Sequence, residues 1–202
     1  MIGKPGKKGC CAHLAGRLSG RLGRGLPVVL AALLLCAPAF TQADDQQVTE
    51  YRIKAAFLYN FSRFIEWPDE TGESGQFTIC VLGVDPFGTA IDNLAGKNVH
   101  GSTLDIRRLS TTAGMNDCRI LYISKSESDR IGSILAPLQT RPVLTVSDTA
   151  DFAEQGGIIR LKLVDKKVRF DINIDAAQRS GLNISSKLLS LATIVRDTGA
   201  AP

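Results

Sequence analysis

The sequence predicts a single three-layer α/β domain, with a mixed, mainly parallel sheet and a C-terminal antiparallel hairpin. Three observations carry that expectation. Short continuous apolar runs at 77–82 and 143–147 suit strands covered on both faces. They alternate with segments of helical periodicity, the pattern of parallel strands joined by crossovers. Beyond Gly156-Gly157 the period falls to two. Ile159, Leu161 and Leu163 alternate with Arg160 and Lys162, and after Asp165-Lys166 so do Val168, Phe170, Ile172 and Ile174 with Arg169, Asp171 and Asn173.

The first 43 residues read as a secretory leader and residues 44–202 as the folded domain. Lys4, Lys7, Lys8, Arg17, Arg21 and Arg24 precede an apolar run over 26–40, which ends in small residues. The cut is expected after Ala43, with Ala37-Pro38-Ala39 as the second choice. An uncleaved anchor is the weaker reading, because the run is shorter than the ~20 residues of a bilayer span. A lipoprotein through Cys36 is weaker again, with Leu35 where a small residue is expected. Of 24 basic residues six leave with the leader, so 18 remain against 20 acids and the mature charge is −2. The basic isoelectric point belongs to the leader and gives no reason to propose nucleic-acid binding.

Export also sorts the five cysteines, since only Cys80 and Cys118 follow the leader. An even pair in an oxidising compartment is expected to be bridged, with two separate buried thiols as the alternative.

A helix is expected over 48–66, with apolar residues at Tyr51, Ala55, Leu58 and Ile65 and again at Ile53, Phe57, Phe61 and Phe64. It should stop at Trp67-Pro68, because the residue before proline is pushed out of helical geometry. The apolar arc is wider than one docking face requires, so the helix is either buried on two sides or meets another chain. After a loop over 69–76 and the strand 77–82, Asp85-Pro86 offers an N-cap and first-turn proline for a helix to Leu94. Strands follow at 104–109 and 119–124, then a helix from Ser126 to Leu138 and a strand at 143–147. After the hairpin, Asp175 should cap a short helix closed by Gly181, and 185–196 should form the last helix.

Catalytic chemistry is hard to assemble from this chain. After the leader His100 is the one histidine, in the turn sequence Asn98-Val99-His100-Gly101, away from carboxylates or cysteines at ligand spacing. Gly83 and Gly88 begin like a phosphate loop, but Thr89-Ala90 stands where Lys and Ser/Thr belong. Asp148 ends a parallel strand, the place where open α/β sheets bind ligands, and reads either as a crevice residue or as a turn cap. No enzyme, cofactor or metal is expected. Phe152 and Gly156-Gly157 lie between strand and hairpin, where an aromatic either anchors a partner or tucks beneath its own loop.

Together these residues resemble the YfiR-type periplasmic proteins. The helix Tyr51-Arg-Ile-Lys-Ala-Ala-Phe-Leu-Tyr-Asn-Phe-Ser-Arg-Phe-Ile-Glu-Trp-Pro68 is similar to their opening signature. So are Cys80-Val-Leu-Gly83 with Asp85-Pro-Phe-Gly88, and Pro142-Val-Leu-Thr-Val-Ser-Asp148 with Phe152 and Gly156-Gly157. Val168-Arg-Phe through Ile174 and Gly181-Leu-Asn-Ile-Ser-Ser-Lys-Leu-Leu complete a likeness over 48–196. The resemblance implies a periplasmic protein, expected to be homodimeric, whose mature chain does not insert in the membrane. It would bind the periplasmic region of an inner-membrane diguanylate cyclase (YfiN-like), hold it inactive and so lower cyclic di-GMP and biofilm growth. Cys80 and Cys118 carry over as a structural staple. A second cysteine pair found in some members has no counterpart after Cys118. The partner surface is expected on Phe152, Gly157, Ile159 and the first helix, including Tyr51 and Phe57. The competing reading is a small-molecule sensor using a crevice near Gly83, Asp85 and Ser147; an enzyme using Asp148 or His100 comes third.

Overall fold

The computed structural model describes residues 41–68 and 76–197. Residues 1–40 of the expected leader, and most of the expected 69–76 loop, lie outside the described residues.

Helix α1 (Thr41–Phe64) leads into the short strand β1 (Ile65–Glu66). The central sheet contains β2 (Gln76–Leu82), β3 (Asn98–Val99), β4 (Ser102–Leu109), β5 (Ile120–Ile123), β6 (Leu144–Ser147), β7 (Ile159–Val164), β8 (Lys167–Asn173) and β10 (Thr193–Val195). Their order is β10-β8-β7-β6-β5-β2-β4-β3, and β9 (Asn183–Ile184) pairs antiparallel with β1 in a separate two-stranded sheet. From β4 through β7 all neighbours are parallel; the hairpin β7–β8 is antiparallel, and so is β3–β4. This is the mixed, mainly parallel sheet with a hairpin that the sequence predicts.

Alternation along β2 and β5 creates the three layers. Phe77, Ile79 and Val81, with Ile120 and Tyr122, face the core under α1. Cys80 and Leu82, with Leu121 and Ile123, face a second core beneath α3 (Ile131–Leu135). A strand with apolar side chains in both directions has to be covered twice, which explains the continuous runs. Cys80 and Cys118 form a disulfide on the α3 side, their Cα atoms 5.9 Å apart. It ties β2 to the entrance of β5.

Several boundaries differ from expectation, each for a local reason. Helix α1 begins at Thr41, seven residues before Val48. At its other end Phe64 O accepts a bond from Ser185 N, and Ile65-Glu66 leave the helix to pair with Ile184 and Asn183. Asp85 does not cap a long helix. Its Oδ1 accepts from Phe87 N at 2.7 Å, the turn drives Phe87 between Tyr51 and Tyr122, and Gly88 at φ 52° delays the helix α2 to Thr89–Asp92. Ser126 does not start α3. Its hydroxyl accepts from Val84 N, and a 3-10 segment over Lys125–Arg130 precedes the helix. The cap of α4 (Ile174–Arg179) is Asn173, whose side chain accepts from Ala176 N, while Asp175 sits in the first turn.

The last helix shows the largest change. Ser185 does cap it, but α5 ends after Ser186–Leu189, and Thr193-Ile-Val195 pairs in parallel with β8. Three consecutive residues of high β preference, beside an available edge, outweigh the helical pattern.

Candidate functional site

Helix α1 runs antiparallel to the parallel strands, so its first turns reach the end of the sheet where β5 and β6 finish. Tyr51 packs near Phe87 there, and Trp67 at the far end packs on Phe77. The buried stripe of α1 is Tyr51, Ala55, Leu58 and Phe61, continued by Ile65 of β1, while Ile53 and Phe64 remain exposed and Phe57 is half-buried against Phe170. The expected double-sided arc therefore divides into one buried stripe and one partly open one.

One residue of the buried stripe is charged. Lys54 is only 1 % exposed, and its Nζ donates to Asp148 Oδ2 and Glu50 Oε1, each at 2.5 Å. Asp148, 2 % exposed, also accepts from the Tyr51 hydroxyl at 2.8 Å, and Lys125 Nζ stands 3.6 Å from it. Lys54 Nζ lies 4.3 Å from the centroid of the Tyr51 ring, a cation–π contact. Burial by itself would raise the pKa of Asp148, but the bonds and charge of Lys54 and the Tyr51 hydroxyl hold it below the usual carboxylate value. Burial, then the charge of Asp148, pushes the Tyr51 and Tyr122 hydroxyls well above theirs. Asp148 is therefore ionised and the two tyrosines neutral at neutral pH. Asp148 Oδ1 and the Tyr122 hydroxyl have no hydrogen-bond partner of normal geometry among the described residues.

Asp148 lines a crevice of about 420 Å³ between α1 and the hairpin, shared with Glu50, Lys54, Lys125 and residues 160–163. Of the two readings open for Asp148, the structure gives the crevice residue. It sits at the C-terminal end of the parallel strand β6, where the ends of open α/β sheets form clefts.

The floor continues into a second ion cluster. Asp171, 1 % exposed, is bracketed by Arg160 at 2.5 Å and Lys162 at 2.6 Å. Burial favours its neutral form, but Lys162 and Arg160 outweigh that and lower its pKa. Asn173 then ties the loop to the C-terminal strand: its Nδ2 donates to Ala153 O and to Asp197 Oδ1, each at 2.8 Å.

The residues expected to meet a partner fall largely inside the molecule. Phe152 is fully buried in the core beneath α3, under Gly157, and Gly157 N donates to Phe152 O at 2.9 Å. Ile159 is fully buried and Tyr51 nearly so. Of the two readings of Phe152, the structure gives the ring tucked beneath its own loop. A Cβ on Gly157 would collide with that ring. Gly157→Ala is therefore expected to destabilise the fold by about 1–3 kcal/mol, read as a lower urea midpoint at unchanged slope. An unaltered midpoint would show that the ring has room to move.

The crevice anticipated near Gly83, Asp85 and Ser147 is filled by protein. Ser126 and Glu127 crowd the space above Gly83, and Asp85 is bonded to Arg108 at 2.8 Å. Ser147 is buried and donates to Ile123 O at 2.7 Å. His100 Nε2 lies 2.9 Å from Ser62 O and fastens the β3–β4 turn to α1. Sequence reasoning missed Lys54, although the signal was present: it stands three residues after Tyr51 and four before Leu58, on the buried stripe, where a lysine demands a carboxylate.

A family model described as YfiR/HmsC-like matches residues 51–193. Among solved structures, the chain is similar to a conserved domain protein from Vibrio cholerae O1 biovar eltor at 11% identity and TM-score 0.47, covering 71% of this chain and 59% of that one. It is also similar to the ABC domain in complex with L-Trp from Streptococcus pneumonia, at 12% identity and TM-score 0.43, covering 59% and 55%. The chain thus spans less than two thirds of the length of either structure.

Proposed function

The chain belongs to the YfiR/HmsC-like family, and from that premise we propose that it represses an inner-membrane diguanylate cyclase by binding the cyclase's periplasmic region. Membership supports a periplasmic signalling regulator that acts through a protein partner and not through catalysis. The family match over 51–193 is the observation that carries the reading, and it includes every residue of the crevice lining except Glu50. In this reading residues 1–43 are removed on export, and residues 44–202 act as a homodimer. No helix among the described residues is long and apolar enough to cross a membrane. Exposed Ile53 and Phe64 on α1, with Leu191 and Ile194 near the C-terminal edge, supply apolar surface for a second chain.

Repression is a shift of population. The protein has to bind the inactive cyclase more tightly than the active one, and moving that equilibrium from 1:99 to 99:1 requires about 10⁴-fold preference. Deleting the gene is expected to raise cyclic di-GMP in a strain that expresses the cognate cyclase, and to leave it unchanged in a strain lacking that cyclase. Equal cyclic di-GMP with and without the gene, in the cyclase-positive strain, would count against repression.

A further inference from the structure

Strand β7 extends past the end of its parallel neighbour. The β6–β7 register contains only Val146↔Ile159 and Ser147↔Arg160, whereas β8 accompanies β7 from Ile159 to Val164. Along residues 161–164, no strand pairs with the β6 side of β7 among the described residues. In an antiparallel ladder, alternate residues turn both N–H and C=O to the same side. Two of these four residues therefore direct both groups away from β8, toward the position a longer β6 would occupy. The chain instead turns away at Asp148, Thr149 and Ala150, and the crevice of about 420 Å³ lies between those residues and 160–163.

We propose that this free edge of β7 is a docking slot for an extended, acidic segment of the partner protein, which adds a short strand in the place that β6 vacates. The inference rests on the repressor reading and specifies its contact. Four residues of edge accommodate about 13 Å of extended chain. Main-chain bonds supply the attachment, as in other cases of strand addition to a sheet edge.

Charge selects the segment. Arg160 and Lys162 pair with Asp171, which leaves Lys166, Lys167 and Arg169 against Asp165 on the hairpin, and Lys125, 64 % exposed, stands over the crevice mouth. The acids in the lining are Glu50 and Asp148, both already bonded to Lys54. An acidic side chain entering the slot meets Lys125 at its rim. Apolar Leu163 and Val164, both exposed, border the far end of the edge and exclude water from the new ladder.

The test is amide hydrogen exchange on the periplasmically expressed protein, alone and with the purified periplasmic region of the cognate cyclase. Binding is expected to slow exchange at least tenfold at the edge-facing amides of 161–164. Lys125→Gln, which removes the rim charge without placing a carboxylate beside Asp148, is expected to weaken binding at least tenfold while leaving the circular dichroism spectrum of the protein unchanged. Binding without added protection at 161–164 would overturn the slot and leave the repressor reading standing. Failure of the cyclase region to bind at all would overturn both. Protection at 161–164 that rises with the protein's own concentration, without the cyclase region, would assign the edge to a second copy of this chain and overturn the slot as proposed.

Discussion

Replacing Lys54 by methionine is expected to destabilise the protein by about 3–5 kcal/mol, because the substitution leaves Asp148 buried, ionised and without its main counter-charge. Asp148 is 2 % exposed, and Lys54 holds its Oδ2 at 2.5 Å. Once Lys54 is gone, the Tyr51 hydroxyl at 2.8 Å, Lys125 at 3.6 Å and the neighbouring Tyr122 hydroxyl remain. The double variant Lys54→Met with Asp148→Leu removes both charges and should lose much less than the sum of the single changes, since a buried pair replaced by apolar groups is often nearly neutral. Comparing urea denaturation of the four proteins gives the coupling directly.

The pH dependence has a defined sign. The folded pKa of Asp148 lies below its ordinary value. Its contribution to stability is therefore complete above the unfolded pKa of about 3.9, and is lost as pH falls through the depressed folded value. Lys54→Met reverses this, because burial without the lysine raises the folded pKa of Asp148. The deficit of that variant relative to wild type should shrink as pH falls toward 4 and the carboxyl takes up a proton. A loss under 1 kcal/mol at pH 7, unchanged down to pH 4, would contradict the geometry.

Removing the disulfide, by Cys80→Ala with Cys118→Ala, is expected to cost about 4 kcal/mol from the chain entropy of its closed loop, whose ends are 38 residues apart. For a chain of this size that is a fall in Tm on the order of 10 °C. Both sulfur-bearing residues are buried against Leu82, Met115 and Leu121, so the substitution also removes packing from the core under α3. That burial has a kinetic consequence: native protein should resist thiol reductants until denaturant opens the core. Non-reduced mass spectrometry of periplasmic material should find no free thiol. Two free thiols, or a double variant as stable as wild type, would refute the staple.

The strands were the most legible part of the chain. In β2, β5 and β6, continuous apolar runs imply two covered faces. The hairpin was legible because its period of two is interrupted only at Asp165-Lys166, which the structure places at φ 49° and 60° in the turn. Helix ends were less legible. Phe64 stops α1 because Ser185, 121 positions later, takes its carbonyl. Thr193-Ile-Val195 becomes a strand because β8 offers an edge. Neither competing partner is visible in a local window.

The amino-acid order by itself determined the three-layer class, the hairpin and the family, because each depends on periodicity, on composition or on ordered motifs. The crevice required the tertiary structure. Lys54 and Asp148 are 94 residues apart and meet only when α1 lies across the sheet, while the open edge of β7 follows from β6 ending before it reaches residues 161–164. Buried charge pairing and backbone left without a neighbour are properties of the assembled sheet, so no stretch of chain displays them alone.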